Sequence, residues 1–290
     1  MLRQRLASGQ PLISDGATWT YLRRHGLASW ECPELFNVTH PEVVQSMARD
    51  YFTAGADMVL TNSFGGNRFL LGKYGYGDCV QELNMLAAQH ARRQAAAAHY
   101  VIGSVGPTGE LLYPLGRVSR TEMRDAFIEQ VTALEAGGAD GVVIETMRLV
   151  EEAVLAIQAA RAHTKLVVLA TMVFEKRLDG FVTMTGASPQ EVVHALQAAG
   201  ADVVGANCGT GIDDMVELGR QIREATDGYT LIHSNAGIPS IKDAEIVYPE
   251  SPDYMAPRFK ALADMGMTII GGCCGTEPNH IRALARALRG

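Results

Sequence analysis

The chain has 290 residues and a mass of 31.2 kDa, is 47% apolar and 20% charged, and carries a formal net charge of -7 from 32 acidic and 25 basic residues. A chain this long buries about three quarters of the surface its unfolded form exposes, which excludes a disulfide scaffold, a fibre or a disordered chain. The acidic balance, without a dense basic stripe, argues against a nucleic-acid or anionic-membrane surface.

Residues 1–14 lack the apolar stretch of a secretory leader, and no apolar run approaches the roughly 18 residues of a spanning helix. Five cysteines, two of them adjacent at Cys273 and Cys274, fit free or metal-bound thiols in the reducing cytoplasm better than disulfides.

In chain order, eight short runs read as strands: 12–16, 58–61, 100–106, 142–145, 166–174, 203–207, 229–235 and 268–272. Most are continuous and β-branched rather than alternating, as in parallel strands covered on both faces. A phrase recurs before several of them: Ala54-Gly-Ala-Asp57, Gly137-Gly-Ala-Asp140, Ala199-Gly-Ala-Asp202 and, more loosely, Asp264-Met-Gly-Met267. Its glycine suits a left-handed helix C-cap handing over to a strand. Helical patterns lie between the runs. Over 121–136, Met123, Phe127, Val131 and Leu134 form one apolar stripe. Capping boxes are expected at Thr39…Glu42, Ser119…Glu122 and Ser188…Glu191, the last with Pro189 at the first helical position.

Eight strand-then-helix units without a Pro- or Ser-rich linker predict an α/β fold, a single-domain (β/α)8 TIM barrel over 1–290. The competing architecture is an open doubly wound sheet. It lacks its Gly-rich dinucleotide fingerprint here, because Asp15-Gly-Ala-Thr-Trp follows the first strand.

In such a barrel chemistry lies at the C-terminal strand ends. Those ends carry Asp15-Gly16, Thr61-Asn62, Ser104, Glu145-Thr146, Met172, Asn207-Cys208, Asn235 and Cys273-Cys274. Two strand spacings of about 4.8 Å put strands 6 and 8 roughly 10 Å apart, within reach of a shared ion. Three thiolates with one open position suit a catalytic Zn2+ that accepts a thiol or water. A lone strand-end cysteine reads instead as a small buried hydrophobe, and Cys32 and Cys79 are read that way. Gly271-Gly272 could cradle a phosphate, but no basic residue stands beside them. Lys165 sits at the wrong barrel end for Schiff-base chemistry. A zinc hydrolase would use His and Asp ligands, and His233 alone of the histidines lies near a strand end.

Gly205-Ala-Asn-Cys208 with Gly271-Gly-Cys-Cys-Gly-Thr276 resembles the paired signature of the homocysteine S-methyltransferase family, and the likeness runs from Asp15 to Ile281. It implies a zinc-dependent barrel that methylates the thiol of homocysteine to give methionine, with Cys208, Cys273 and Cys274 as ligands. Asn235 matches an asparagine of the methionine-synthase branch that takes the fourth zinc position without substrate. The resemblance places Asp15, Gly16 and Glu145 at the homocysteine amino group, with Ser104 and Asn207 in the same substrate set. On the residues alone, Asp15 and Ser104 read equally as turn residues and Glu145 as a rim ion-pair partner.

On the donor side, Trp30 resembles a tryptophan of the betaine enzymes' aromatic box, but Gly65 and Thr146 stand where that box places tyrosines. The segment Asn62-Ser-Phe-Gly-Gly-Asn67 resembles the methionine-synthase module instead. The resemblance therefore implies a methyl-corrinoid donor on a partner protein. Betaine or S-methylmethionine (sulfonium) donors are the competing readings, as is a non-catalytic homocysteine-binding module of a larger complex.

Overall fold

In the computed structural model, which describes residues 2–242 and 245–290, all eight runs become strands of one parallel sheet. They are β1 (Leu12–Ile13), β2 (Met58–Leu60), β3 (Tyr100–Val105), β4 (Gly141–Met147), β5 (Val167–Met172), β6 (Val203–Cys208), β7 (Tyr229–Ser234) and β8 (Ile269–Gly272). The sheet runs β1-β8-β7-β6-β5-β4-β3-β2, in sequence order around the ring, with helices such as Arg120–Ala136 and Val150–His163 between successive strands. No reversal of strand order occurs, so the architecture is the (β/α)8 barrel and not the doubly wound sheet.

The strands are apolar on both sides because both sides are covered. Val59, Val142, Val168, Val204 and Ile232 pack with the helices, while Leu12, Met58, Ile102, Val143, Leu169, Leu231 and Ile269 fill the interior. Leu2 and Leu6, on a short N-terminal helix (Leu2–Leu6), join that interior cluster. Further up, the same inward rows turn polar, and Ser14, Ser104, Glu145, Thr171, Asn207 and His233 are all buried.

The recurring phrase does more than end helices. Gly55 and Gly200 take the expected left-handed C-caps at φ 109° and 108°, and in the second copy Gly138, at φ 96°, is the left-handed residue. The aspartate that follows stitches its strand to the neighbour. Asp57 N–H donates to the Ile13 carbonyl at 2.7 Å, and its carboxylate accepts the Ile13 N–H at 2.8 Å. Asp140 repeats this on Val101 (2.7 and 2.8 Å) and Asp202 on Val168 (2.7 and 2.9 Å). Arg289, Arg92 and the pair Arg3 and Arg161 cover these carboxylates from outside. In the fourth copy Thr268 does the same work, its hydroxyl accepting the Thr230 N–H at 3.2 Å. β1 and β2, the two ends of the sheet, are joined by the Asp57 stitch and by the Asp15 carboxylate on the Leu60 N–H at 2.7 Å.

Two expectations need correction. The capping boxes at Ser119 and Ser188 form, but Thr39 caps nothing. It closes a short helix (Phe36–Thr39), where its hydroxyl bonds the Leu35 carbonyl at 3.2 Å, and His40 occupies the N-cap position of the helix Pro41–Ala54 without a side-chain capping bond. The fifth run also stops early, at Met172, and residues 173–174 lead into an antiparallel hairpin, Glu175–Arg177 with Gly180–Val182. A second hairpin, Ser240–Lys242 with Glu245–Val247, follows β7. Among the described residues no helix is long and apolar enough to cross a membrane.

Candidate metal centre

The cysteines reach the mouth of the barrel on two backbone devices. β6 ends on Cys208, which adopts φ 67°, a left-handed conformation rare outside glycine, and so turns away from the strand line. β8 ends on Gly272, and Cys273-Cys274 form the turn beyond it. Gly272 N–H bonds the Asp15 carbonyl (2.8 Å), Cys273 N–H the Ser234 carbonyl (2.7 Å), and Ala236 N–H the Cys274 carbonyl (2.9 Å). The turn is thus fastened to the ends of β1 and β7. The paired glycines answer to packing: a Cβ on Gly271 would lie 2.7 Å from the Ser14 Cβ, and one on Gly272 would lie 2.1 Å from the Thr276 hydroxyl.

The Sγ atoms of Cys208, Cys273 and Cys274 lie within 4.8 Å of one another, with Cys208 and Cys273 3.4 Å apart. All five cysteines are free. Hydrogen bonds from Cys208 and Cys273 hold Cys274 far below the ordinary thiol range, at about 3, while sharing those bonds pushes Cys273 well up. Three thiolates together need a cation among them, and a soft divalent ion suits sulfur. Asn235, one residue beyond β7, donates from Nδ2 to the Gly209 carbonyl at 2.7 Å, and its Oδ1 is buried without a hydrogen-bond partner. An orphaned acceptor beside three thiols fits a metal site. Cys32 and Cys79 lie elsewhere, packed with Leu71, Val80 and Leu83.

A cavity of about 220 Å³ opens beside the thiols, its wall including Gly16, Glu34, Asn62, Ser104, Glu145 and Thr146, and none of its described lining residues is basic. Ser104 donates its hydroxyl to Glu145 at 2.5 Å. Burial pushes Glu145 up to about 7, with the Cys274 charge adding to the shift. Burial likewise lifts Asp15 to about 8, and the Glu145 charge adds to it. Buried carboxyls without a basic partner give this site the chemistry to take up a cationic group such as an ammonium.

Not every residue singled out from the sequence reaches the cavity. Gly16, Asn62, Ser104, Glu145 and the three cysteines line it. Asp15 lies behind the wall on the β2 seam, and Asn207 is buried beneath it, 1% exposed. Gly65 sits against Glu34, and Trp30 is 80% exposed and outside the wall. Several lining residues were given no role by the sequence reading, Glu34, Trp19 and Phe64 among them. Glu34, buried on the wall, accepts the Gly65 N–H at 2.6 Å. Trp19 and Phe64 supply the aromatic faces of the wall.

A parallel barrel with three clustered thiols and a buried carboxyl at its C-terminal mouth is the combination of fold and site that this chain presents. The chain belongs to the homocysteine S-methyltransferase family, whose profile matches residues 12–288. It is 33% identical to the methionine synthase of Mycobacterium leprae over 96% of this chain and 24% of that protein. The methionine synthase of Mycobacterium tuberculosis is also 33% identical, over 97% of this chain and 25% of its own. The chain thus spans about a quarter of the length of these relatives. Its fold is similar to that of the homocysteine methyltransferase MmuM of Escherichia coli in its metallated form (TM-score 0.79, 23% identity, 98% of this chain and 99% of that one). A methyltransferase from Methanosarcina mazei shares the fold at TM-score 0.62 and 11% identity, over 96% of this chain and 93% of that one.

Proposed function

We propose that this barrel transfers a methyl group from a methyl-corrinoid, carried on a partner protein or domain, to the thiol of homocysteine, giving methionine. The observation that carries the reading is the trio of thiols within 4.8 Å at the mouth of an acidic pocket. Cys208, Cys273 and Cys274 would hold Zn2+, with the Asn235 amide oxygen as fourth ligand in the absence of substrate. Zn2+ there would supply the charge that keeps an acceptor thiol deprotonated at neutral pH, and three cysteinates around it leave that sulfur electron-rich. Glu145, steadied by Ser104, receives the substrate ammonium, and Asp15 fixes the adjoining seam. Gly16 also lines the pocket. A reducing cytoplasm would keep the thiols available.

The donor surface supports a protein-borne methyl group. Trp30, Tyr113, Leu115, Leu178, Ile238 and Ile241 are 62–105% exposed, and all lie on the loops and hairpins at the C-terminal end of the barrel. Such an apolar rim suits a partner surface better than bulk water. A sulfonium donor is the second reading, favoured by the buried Glu34 carboxyl on the donor side of the wall. Methionine formation from homocysteine, assayed with each donor separately, tests both. No methionine from any donor would leave only a binding module.

Homocysteine binding to the zinc-loaded protein is expected to release about one proton at neutral pH, because the thiol must give up its proton. Calorimetry in buffers of different ionisation enthalpy measures it. Equal release from zinc-free protein would remove the metal from the chemistry.

The ammonium site carries its own pH dependence. Glu145 loses its proton only near 7 in the substrate-free pocket, and the ammonium needs the carboxylate. Affinity for an amino acid of the same chain length but without the thiol is therefore expected to rise between pH 6 and 8. Glu145→Gln should flatten that rise and weaken binding roughly 10- to 100-fold, the worth of a charged hydrogen bond of about 1.5–3 kcal/mol. An unchanged profile in the variant would assign the ammonium elsewhere.

A further inference from the structure

We propose that Asn207 is a positioning residue of the metal centre: it fixes the Cys273 sulfur and the end of β4 around the cation, and it does not touch the substrate. The inference rests on the reading of the three thiols as a metal site.

Asn207 is the penultimate residue of β6, on the inward row with Val203, and is 1% exposed. Its side-chain oxygen accepts the backbone N–H of Thr146 at 2.8 Å and the hydroxyl of Thr171 at 2.8 Å. Its amide nitrogen donates to the Thr146 hydroxyl at 2.8 Å and to Cys273 Sγ at 3.7 Å. An amide offers two acceptor sites and two donors, and all four are engaged. Nothing is left over for a ligand, and the side chain is absent from the cavity wall.

What the four bonds join is specific. They tie the ends of β4 and β5 to β6 and to the cysteine turn beyond β8. Thr146, which follows Glu145 on the cavity wall, is one of two described non-glycine residues with positive φ, at 61°. The other is Cys208, at 67°, bonded covalently to Asn207. Asn207 grips the backbone and the hydroxyl of the first and is the chain neighbour of the second. Left-handed β-branched residues persist only where the surroundings determine them, and the reciprocal Asn207–Thr146 pair is that determinant. The remaining donor meets a sulfur that would carry negative charge as a ligand of the cation. An N–H directed at a thiolate fixes its orientation and withdraws part of its charge, as outer-shell partners of metal ligands do.

Other side chains cannot reproduce the set. Leucine would strand the Thr146 N–H and the Thr171 hydroxyl without partners. Aspartate keeps the shape and both accepting contacts but, ionised, loses both donors and sets a negative charge against Cys273.

The test uses Asn207→Asp, Asn207→Ala and, as a control touching only the bond remote from sulfur, Thr171→Val. Zinc affinity is measured by competition with a chromophoric chelator, and each protein is also loaded with cobalt(II) to record the sulfur-to-cobalt charge-transfer absorption. Both Asn207 variants are expected to bind zinc about 10- to 100-fold more weakly and to shift the cobalt band, with Thr171→Val close to wild type on both counts. If Asn207→Ala does not fold, the near-isosteric Asn207→Asp carries the test alone. Unchanged zinc affinity and cobalt spectrum, with only a lower melting temperature, would make Asn207 a structural residue and overturn the proposal. Unchanged metal binding with weaker homocysteine binding would make it a substrate contact and overturn it equally. Wild-type protein that takes up neither metal would instead defeat the metal-site reading itself.

Discussion

Cys273→Ser is expected to lose its zinc and its methyl transfer together while the barrel stays folded. A serine hydroxyl does not ionise at neutral pH, so the variant presents two thiolates where three are needed, and a two-cysteine remnant holds zinc far more weakly. Turnover should fall at least about a thousandfold, in line with a nucleophile that is no longer deprotonated. The fold should survive because its stability lies elsewhere. Leu12, Ile102, Val143, Leu231 and Ile269 are all buried in the barrel interior, and none depends on the cation. Metal analysis, activity and circular dichroism on Cys208→Ser, Cys273→Ser and Cys274→Ser decide the matter, with Cys32→Ser as the control that keeps zinc. Full zinc in all three single variants would be incompatible with the site.

Betaine alone is expected to support little or no methionine formation, whereas a methyl-corrinoid protein should support it at ordinary enzyme rates. A quaternary ammonium is held by aromatic faces, each worth on the order of 0.5–2 kcal/mol, so two missing faces weaken it roughly tenfold to a thousandfold. The structure explains the two gaps. A Cβ on Gly65 would stand 3.0 Å from the Glu34 carboxylate, so no aromatic ring fits there without moving a buried acid. Thr146 is held left-handed by Asn207, which leaves little freedom for a large ring at that position. Of the tyrosines that could substitute, Tyr21 is buried with its hydroxyl on Asp50, and Tyr74 lies outside the cavity wall. Turnover with betaine as sole donor at a millimolar KM would mean that Trp19 and Phe64 rebuild the box.

The barrel and the thiol trio were legible for the same reason. Strands covered on both faces must be continuous and apolar, so their ends could be read off, and the cysteines stand at those ends. Residues that act across loops were not legible in this way. Glu34 reaches the wall through a turn (Pro33–Leu35) whose path no periodicity announces. Thr39 carried a good capping signal, but a short helix already occupied it. The recurring glycine phrase was read for its glycine, while its aspartate proved to join strand to strand, a partner that only the closed ring reveals. The resemblance put Asn207 in the substrate set, and its four bonds became visible only once β4, β5 and the β8 turn were brought around it.

The aspartate stitches have a consequence for how this scaffold can change. Asp57, Asp140 and Asp202 lock the strands at the end of the barrel opposite the thiols, and their arginine partners arrive from helices rather than from the mouth. Three seams of the ring are therefore fastened from below, away from the loops that shape the mouth. A lineage built on this plan is free to exchange its upper loops, hairpins included, and so to trade one methyl source for another, without reopening the question of whether the chain folds.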